Sequence, residues 1–216
     1  MNIEKARFNM IEQQIRPWNV LSQDVLDKLI VVKRENFFPE SQKSLAFFDT
    51  ELPLLAGAHS MSPKLEARIA QELAFQPNET VLLIGAGNGY LAALIASMTK
   101  HVTVMEAIPE LKSLAEKNLM KNAVMNVDVL LGDGLQIKNS LGFDVIVVNG
   151  SLESIPSELQ NQLNAGGRLF AIVGKDPIMS AQIITRESEL FFNTKTVFET
   201  SVKRLPQAQV MSAFKF

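Results

Sequence analysis

Three alternate glycines stand between an apolar run and a helical pattern, and they offer the clearest chemistry in the chain. After the apolar run Val81–Ile84 the loop reads Gly85, Ala86, Gly87, Asn88, Gly89 and Tyr90. Because glycine has no side chain, such a loop can turn sharply and let an adenosine-sized ligand approach the main chain beside the positive end of the following helix. The GxGxG spacing differs from the GxGxxG that a pyrophosphate site prefers. The pattern predicts a nucleoside-binding loop.

Polar side chains follow the later apolar runs at the points where those runs end. Glu106 lies 21 residues beyond Gly85, where its two oxygens can chelate a ribose diol. Asp133, just before Gly134, can accept a hydrogen bond from an adenine amine or can form an Asx turn. Asn149 can face the reacting part of a ligand or its acceptor, or can cap a helix. Because ligands of open parallel sheets bind outside the carboxyl ends of the strands, we expect one shared site.

The chain has two histidines, and one of them lies in a loop close to the predicted site. His59 can act as a general base near neutral pH, contact a substrate, or form a hydrogen bond to the backbone. His101 stands at the start of a predicted strand, and we interpret it as structural.

The elements that must position these residues alternate between strand and helix. Four apolar runs predict buried parallel strands at Thr80–Ile84, His101–Met105, Val127–Leu131 and Phe143–Val148. Helical patterns fill the gaps at Tyr90–Met98, Pro109–Asn122 and Pro156–Leu163. Arg168–Val173 predicts a fifth strand, and Gln182–Glu187 with Thr194–Thr200 a closing hairpin. The sequence therefore predicts an α/β protein with a doubly wound, mostly parallel, Rossmann-like sheet and an antiparallel edge hairpin.

The first 61 residues lack this alternation and read as short helices and loops. We expect residues 1–61 to form a small helical N-terminal cap, packed as one unit with a Rossmann-like domain over residues 62–216. Four phenylalanines in loop-like sequence are expected to pack this cap onto the domain: Phe37, Phe38, Phe47 and Phe48.

Composition excludes several classes of protein. With 21 Lys and Arg against 23 Asp and Glu, the 216 residues lack the electrostatic footprint of a nucleic-acid binder. The absence of cysteine excludes disulfides, thiolate metal sites and thiol redox chemistry, and no metal site is expected. The start of the chain is charged, and no uncharged apolar run approaches the roughly 20 residues that span a bilayer. We expect a cytoplasmic protein without membrane contact; the oligomeric state stays open.

The order of these motifs resembles the class I S-adenosylmethionine-dependent methyltransferases, and more narrowly the protein-L-isoaspartate O-methyltransferase family. The resemblance covers most residues up to about Gly174 and rests on Met10–Arg16, Arg34–Pro39, Ile84–Tyr90, Gly132–Gly134 and Leu163–Leu169. It implies S-adenosylmethionine as cofactor, held by Gly85, Gly87, Gly89, Glu106 and Asp133. It also implies methylation of isoaspartyl carboxylates in peptides or proteins, a step of protein repair.

The family carries a Gly-Gln-Thr-Ile-Ser-Gln-Pro segment whose Thr and Ser line the acceptor site. Here Gly57–Pro63 reads Gly-Ala-His-Ser-Met-Ser-Pro, so that in an alignment without gaps His59 takes the Thr position and Met61 the Ser position. A shift by one residue instead recovers Met61 and Ser62 as the Ile-Ser pair but displaces the proline. By resemblance, Ser60 and Ser62 are the acceptor-side hydroxyls, with His59 beside them.

Two departures leave alternative functions open. Leu83 stands where the family usually has an acid, and the Thr-Ile-Ser core is absent, although Met61–Lys64 is similar to a segment of a divergent bacterial subgroup. The same fold and cofactor could serve a different acceptor. The third hypothesis is a non-catalytic relative that binds S-adenosylmethionine or acts by protein interaction.

Overall fold

Seven strands form one sheet in the computed structural model, which describes residues 2–208. In chain order they are β1 (Thr80–Ile84), β2 (His101–Glu106), β3 (Val127–Leu131), β4 (Phe143–Leu152), β5 (Leu163–Lys175), β6 (Ile178–Arg186) and β7 (Phe192–Thr200). Their order across the sheet is β3-β2-β1-β4-β5-β6-β7. β1 to β5 are mutually parallel, whereas β6 and β7 pair antiparallel with their neighbours. The fold class predicted from the sequence is confirmed.

Within residues 2–208, six α-helices accompany the sheet. They are α1 (Ile3–Met10), α2 (Gln23–Val31), α3 (Pro63–Leu73), α4 (Tyr90–Ala96), α5 (Pro109–Lys121) and α6 (Ser157–Gln160). α1 continues through a π-helical turn, Ile11–Ile15, into a 3₁₀ turn, Arg16–Trp18. None of the helices within residues 2–208 is long and apolar enough to cross a membrane.

β1 and β4 lie at the centre, and their composition explains why. Val81–Ile84 and Val145–Val148 are both fully buried, as expected for parallel strands covered on both faces. The chain crosses from β1 to β2 on one side and reaches β4 on the other, so the strand order reverses between β1 and β4. The loops after these two strands meet at this switch point, which is where open α/β sheets bind ligands.

The N-terminal segment shares a core with the sheet. Met10, Ile15 and Leu26 belong to the same buried cluster as Ile69 of α3 and Phe170 of β5. Burial of this continuous apolar surface, at about 25 cal/mol per Å², ties the first 61 residues to the rest of the chain.

Several predicted boundaries were wrong. The helix predicted for Pro156–Leu163 is only the single turn α6, because Leu163 pairs with Phe143 as the first residue of β5. The predicted fifth strand, Arg168–Val173, is therefore the centre of a longer strand. Leu163 is buried in either case, and burial alone does not distinguish a short helix from a strand.

The prediction that four phenylalanines pack the N-terminal segment onto the domain is correct for Phe37 and Phe47, which belong to the main core cluster. Phe38 is buried in a separate small cluster with Ala46 and Leu52 of the same segment. Phe37, Phe38 and Phe47 are at most 5% exposed, whereas Phe48 is 57% exposed. A 3₁₀ turn ends at Phe47, and Phe48 follows it in an extended conformation that turns its ring outward. The division at residue 61 remains a prediction, and residues 209–216 of the predicted second domain lie outside the described residues.

Candidate active site

The glycine loop follows β1 in a conformation that side chains rarely tolerate. Gly85, Gly87 and Gly89 have φ values of 94°, 55° and 90°. A Cβ on Gly89 would also lie 3.2 Å from the carbonyl oxygen of Ala115, a backbone atom of α5. Glycine is therefore required here by dihedral angle and by close packing, and the loop keeps its main chain accessible to a ligand.

Glu106, the last residue of β2, anchors this loop. Its carboxylate is 2% exposed; Oε2 accepts a hydrogen bond from the Ala86 N–H at 2.7 Å, and Oε1 accepts one from the Ile108 N–H at 2.9 Å. Each oxygen keeps a second lone pair that can accept a hydrogen bond from a ribose hydroxyl. Because bonds to an ionised carboxylate are the stronger kind, Glu106 can fix the loop and serve a ligand at the same time.

Asn149 lies within β4, at the point where its pairing with β5 is irregular. The register shifts between Val147 and Ser151, and the Asn149 Nδ2 donates a hydrogen bond to the Gly85 carbonyl at 3.0 Å. Its side chain therefore holds the glycine loop from the β4 side and caps no helix. Glu106 and Asn149, from the two strands that flank β1, thus both form hydrogen bonds to the backbone of the loop.

Asp133 and Gly134 bring the loop after β3 to the same edge. The Asp133 Oδ1 accepts from the Leu135 N–H at 3.0 Å, which is the Asx turn that the sequence left open. A Cβ on Gly134 would meet Met105 Cβ at 2.8 Å and Ile84 Cγ2 at 2.9 Å, so only glycine lets this turn pack on β1 and β2. Asp133 also lines an open cavity of about 1100 Å³.

Asn88 and Tyr90 direct their side chains away from the accessible side of the loop. The Asn88 Oδ1 accepts from the Tyr90 N–H at 3.1 Å. The Tyr90 ring is fully buried, packs edge-on against Phe37 at 5.6 Å between centroids, and burial raises the pKa of its hydroxyl. Among the predicted cofactor residues, these two therefore support the loop from behind with their side chains.

A short hairpin, residues 52–60, lies over the glycine loop. Its two arms are joined by hydrogen bonds from Leu54 N–H to the Ala58 carbonyl and from Ser60 N–H to the Leu52 carbonyl, at 2.7 and 2.9 Å. The Leu54 Cδ1 lies 3.7 Å from the position that a Cβ on Gly87 would occupy. The 52–60 hairpin, which carries His59 and Ser60, thus forms one wall beside the predicted cofactor loop.

The two predicted acceptor-side serines differ in their surroundings. Ser60 is 6% exposed, and its Oγ accepts hydrogen bonds from the Leu52 N–H at 3.1 Å and from the Arg34 guanidinium at 3.4 Å. Ser62 stands half-buried before α3, and its side chain makes no capping hydrogen bond. Ser60 therefore supports the hairpin, whereas the Ser62 hydroxyl is available to a ligand.

Arg34 is the buried centre that holds the hairpin to α3. It is 2% exposed and donates to Glu66 Oε2 at 2.7 Å, to the Met61 carbonyl at 2.8 Å and to the Ala46 carbonyl at 2.7 Å. Burial raises the pKa of Glu66 to about 6, although Arg34 acts in the opposite direction. Sequence reasoning included Arg34 only as part of a resemblance and gave it no role.

The two histidines lie near opposite ends of the strands. His59 Nε2 is 3.0 Å from Lys203 Nζ, next to the predicted site. His101 begins β2 and lies 3.2 Å from Asp128, at the opposite end of the strand from Glu106. Lys203 was missed because no motif marks a single lysine in irregular sequence.

These features define a class of protein. The glycine loop stands at the switch point of the sheet, and a buried carboxylate at the end of β2 has lone pairs to spare, which fits the adenosine part of S-adenosylmethionine. A doubly wound sheet with this site is that of a class I S-adenosylmethionine-dependent methyltransferase.

Comparison with known proteins identifies the family. Residues 5–205 match the family model of protein-L-isoaspartate(D-aspartate) O-methyltransferase, and the chain belongs to this family. A protein-L-isoaspartate O-methyltransferase of Aliivibrio fischeri strain MJ11 is 32% identical over 87% of this chain and 90% of its own length. One of Gloeobacter violaceus is 37% identical over 76% of this chain and 81% of its own.

A solved structure shows the same fold. A Plasmodium falciparum chain, described as a protein-L-isoaspartate O-methyltransferase in complex with S-adenosyl-L-homocysteine, superposes with a TM-score of 0.79. The superposition covers 96% of this chain and 99% of that chain at 19% sequence identity. Because the chain belongs to the family, it is a methyltransferase that uses S-adenosylmethionine, as the sequence predicted.

Proposed function

We propose that this enzyme methylates the free carboxylate of isoaspartyl residues in peptides or proteins. The observation that carries the proposal is the glycine loop, tied at 2.7 Å to the buried Glu106 and overlain by the 52–60 hairpin. This arrangement supports a bound adenosine on one side and an acceptor approaching between hairpin and sheet on the other. The family to which the chain belongs supports the choice of acceptor.

Methyl transfer to a carboxylate depends on how the two reacting groups are positioned and does not require removal of a proton. S-adenosylmethionine, when bound, supplies a methyl group that the positive charge on its sulfur activates. A carboxylate is already anionic at pH 7, so the residues around it need to orient it and exclude water. His59 therefore has no proton to remove, and a role in binding suits it better than one as a base.

We assign the residues as follows. Gly85, Gly87 and Gly89 let the cofactor approach the main chain. Glu106 accepts hydrogen bonds from the ribose hydroxyls, and Asp133 accepts one from the adenine amine. Ala86, Asn88, Tyr90, Gly134 and Asn149 shape the loop and its surroundings. On the acceptor side, Ser62 contacts the substrate, Ser60 and His59 hold the hairpin that faces it, and residues 1–61 act as a cap that carries this wall.

The product defines the biological role that we propose. A methyl ester on isoaspartate can close to a succinimide and reopen in part as normal aspartate, so the output is protein repair. A cytoplasmic location is part of the proposal and is supported by the absence of cysteine from all 216 residues.

Radiolabelled methyl transfer from S-adenosylmethionine tests the proposal. The purified chain is offered an isoaspartyl peptide, its normal aspartyl counterpart and a protein extract in parallel. Label in the isoaspartyl peptide but not in its counterpart is the expected result. Absence of label from the isoaspartyl peptide, with cofactor binding intact, would overturn the choice of acceptor.

A different acceptor is the second candidate, and one observation favours it. Gly57–Pro63 lacks the Thr-Ile-Ser core of the family, and His59 and Met61 stand in its place. Label confined to the protein extract would select this alternative.

A further inference from the structure

The segment after β7 forms a second wall of the site, beside the 52–60 hairpin. The Lys203 carbonyl accepts a hydrogen bond from the Ser151 N–H at 3.0 Å, and the Leu205 N–H donates to the Ser151 carbonyl at 3.0 Å. Leu205 Cδ1 lies 3.0 Å from the position of a Cβ on Gly85. Residues 202–205 are thus fixed to the end of β4 and reach the glycine loop from the sheet side.

One side-chain contact joins the two walls. Lys203 Nζ lies 3.0 Å from His59 Nε2, although the residues are 144 positions apart in the chain. An ammonium group only donates hydrogen bonds, so His59 Nε2 accepts and the ring proton is on Nδ1. That Nδ1 is buried and has no hydrogen-bond partner among residues 2–208. His59 therefore orients Lys203 without neutralising its charge.

The charge on Lys203 is uncompensated at close range. Within the described part of the chain no carboxylate lies within 4.0 Å of its Nζ, whereas its neighbour Arg204 is paired with Glu153 at 2.7 Å. The Lys203 side chain is exposed, so a ligand can reach it. Glu51 is the nearby acid; burial raises its pKa, and the positive charge of Lys203 opposes that rise.

We propose that Lys203, positioned by His59, binds one oxygen of the acceptor carboxylate and makes the enzyme selective for anionic acceptors. The other oxygen stays free to attack the methyl group, so binding and reaction use different atoms of the same carboxylate. A charge-assisted bond from an ammonium to a carboxylate is among the stronger hydrogen bonds of proteins. This inference rests on the proposed function, since it names the group that recognises the proposed acceptor.

Two peptides isolate the contribution of the charge. One is an isoaspartyl peptide, and the other is the same peptide with the free carboxylate converted to a carboxamide. Equilibrium binding of both is measured on the enzyme saturated with S-adenosylhomocysteine, and KM and kcat are measured for the isoaspartyl peptide. The variants are Lys203→Met, Lys203→Arg, His59→Ala and, as control, Lys195→Met, which removes an equally exposed lysine from β7.

The wild-type enzyme is expected to bind the carboxylate peptide at least about tenfold more tightly than the carboxamide peptide, because one hydrogen bond to a charged group contributes an affinity difference of that size. Lys203→Met should abolish this preference and raise KM by a similar factor while kcat changes little. Lys203→Arg should restore most of the preference, His59→Ala should lose part of it, and Lys195→Met should keep all of it.

The outcomes separate the two proposals. A preference that survives Lys203→Met would overturn the role of Lys203 and leave the proposed function intact. If the wild-type enzyme neither binds nor methylates the isoaspartyl peptide, the proposed acceptor is wrong and the role of Lys203 falls with it. Unchanged binding of S-adenosylhomocysteine in all variants is the check that the cofactor site is intact.

Discussion

The proposed cofactor side and the proposed acceptor side of the site are built in different ways. On the cofactor side, Glu106 and Asn149 belong to the strands that flank β1, and each bonds the backbone of the glycine loop. On the acceptor side, Arg34 begins a 3₁₀ turn, and Ser60 and Lys203 lie outside the main strands and helices. Arg34 bonds Ser60, and Lys203 contacts His59, through side chains. One side follows from the order of the strands, whereas the other depends on pairings between distant segments.

This difference indicates which side can change. In a parallel sheet the carboxyl ends of β1, β2 and β4 meet whatever their side chains are, so a glycine loop and an acid suffice to make the proposed cofactor site. The hairpin has no such support from the sheet and depends on buried Arg34 for its position. The departure of Gly57–Pro63 from the family pattern falls on this second side.

Replacing Arg34 by Met is expected to have the largest effect. At pH 8 the substitution should lower the free energy of unfolding by about 3–5 kcal/mol, because it leaves the Glu66 carboxylate buried without its partner. The loss should shrink at pH 5.5, where Glu66 can take up a proton. Urea unfolding at the two pH values measures both effects.

Arg16→Met is the control for this prediction. Arg16 pairs with Glu12 at 2.8 Å in the half-exposed i,i+4 geometry, which is worth about 0.5 kcal/mol or less. A loss below about 1 kcal/mol for Arg34→Met would mean that the hairpin does not depend on the buried pair. The contrast drawn between the two sides of the site would then fail.

Replacing Glu106 by Ala should weaken S-adenosylhomocysteine binding by about a hundredfold. The substitution removes the acceptor for the ribose and two charge-assisted bonds that hold the backbone at Ala86 and Ile108. Isothermal titration calorimetry measures the change, with Asp128→Ala as the control because that acid is exposed on the neighbouring β3. An unaltered affinity would show that the ribose lies elsewhere.

The sequence was sufficient for the fold class and for the place of the glycine loop, whereas the assignment of cofactor residues stays a prediction. Apolar runs that end before glycine, an acid or an amide located β1 to β4; Glu106 ends β2 and Asp133 follows β3 as expected, whereas Asn149 lies within β4. The roles within that group were less predictable. Asn149 proved to bond the Gly85 carbonyl because β4 continues past it with a shift in register, which no hydrophobic pattern reveals.

The acceptor side was beyond the sequence for a physical reason. Buried polar groups require partners, but the identity of the partner depends on three-dimensional packing rather than on spacing along the chain. Ser60 is predicted as an acceptor-side hydroxyl, and only the fold shows that its Oγ also accepts hydrogen bonds from the Leu52 N–H and the Arg34 guanidinium. Lys203 is an ordinary exposed lysine until the fold brings it to His59.

The titration of Glu66 provides a test of intermediate size. Burial raises its pKa to about 6, above the usual 4.5, so the folded state favours the protonated form. This contribution to stability is complete below pH 4.5 and is lost as the pH rises through 6. Between pH 4.5 and 7.5 the wild-type protein should therefore lose about 2 kcal/mol relative to Glu66→Gln, which does not titrate.

Urea unfolding of the two proteins across that pH range measures the difference. Parallel curves for wild type and Glu66→Gln would mean that Arg34 compensates the burial of the carboxylate in full. In that case the Arg34–Glu66 pair would stabilise the hairpin as an ion pair at every pH in the range, and the pH dependence expected of Arg34→Met would become steeper.

The smallest expected effects separate the two serines. Ser60→Ala removes the acceptor of the buried Leu52 N–H and should lower the free energy of unfolding by about 1–2 kcal/mol. Ser62→Ala should leave stability within about 0.5 kcal/mol, because its hydroxyl makes no capping bond, and should raise KM for the isoaspartyl peptide about threefold to tenfold. Urea unfolding and steady-state kinetics on the same two proteins test this pair of expectations. If Ser60→Ala instead raised KM without loss of stability, the Ser60 hydroxyl would face the acceptor, and the hairpin would have to rearrange when substrate binds.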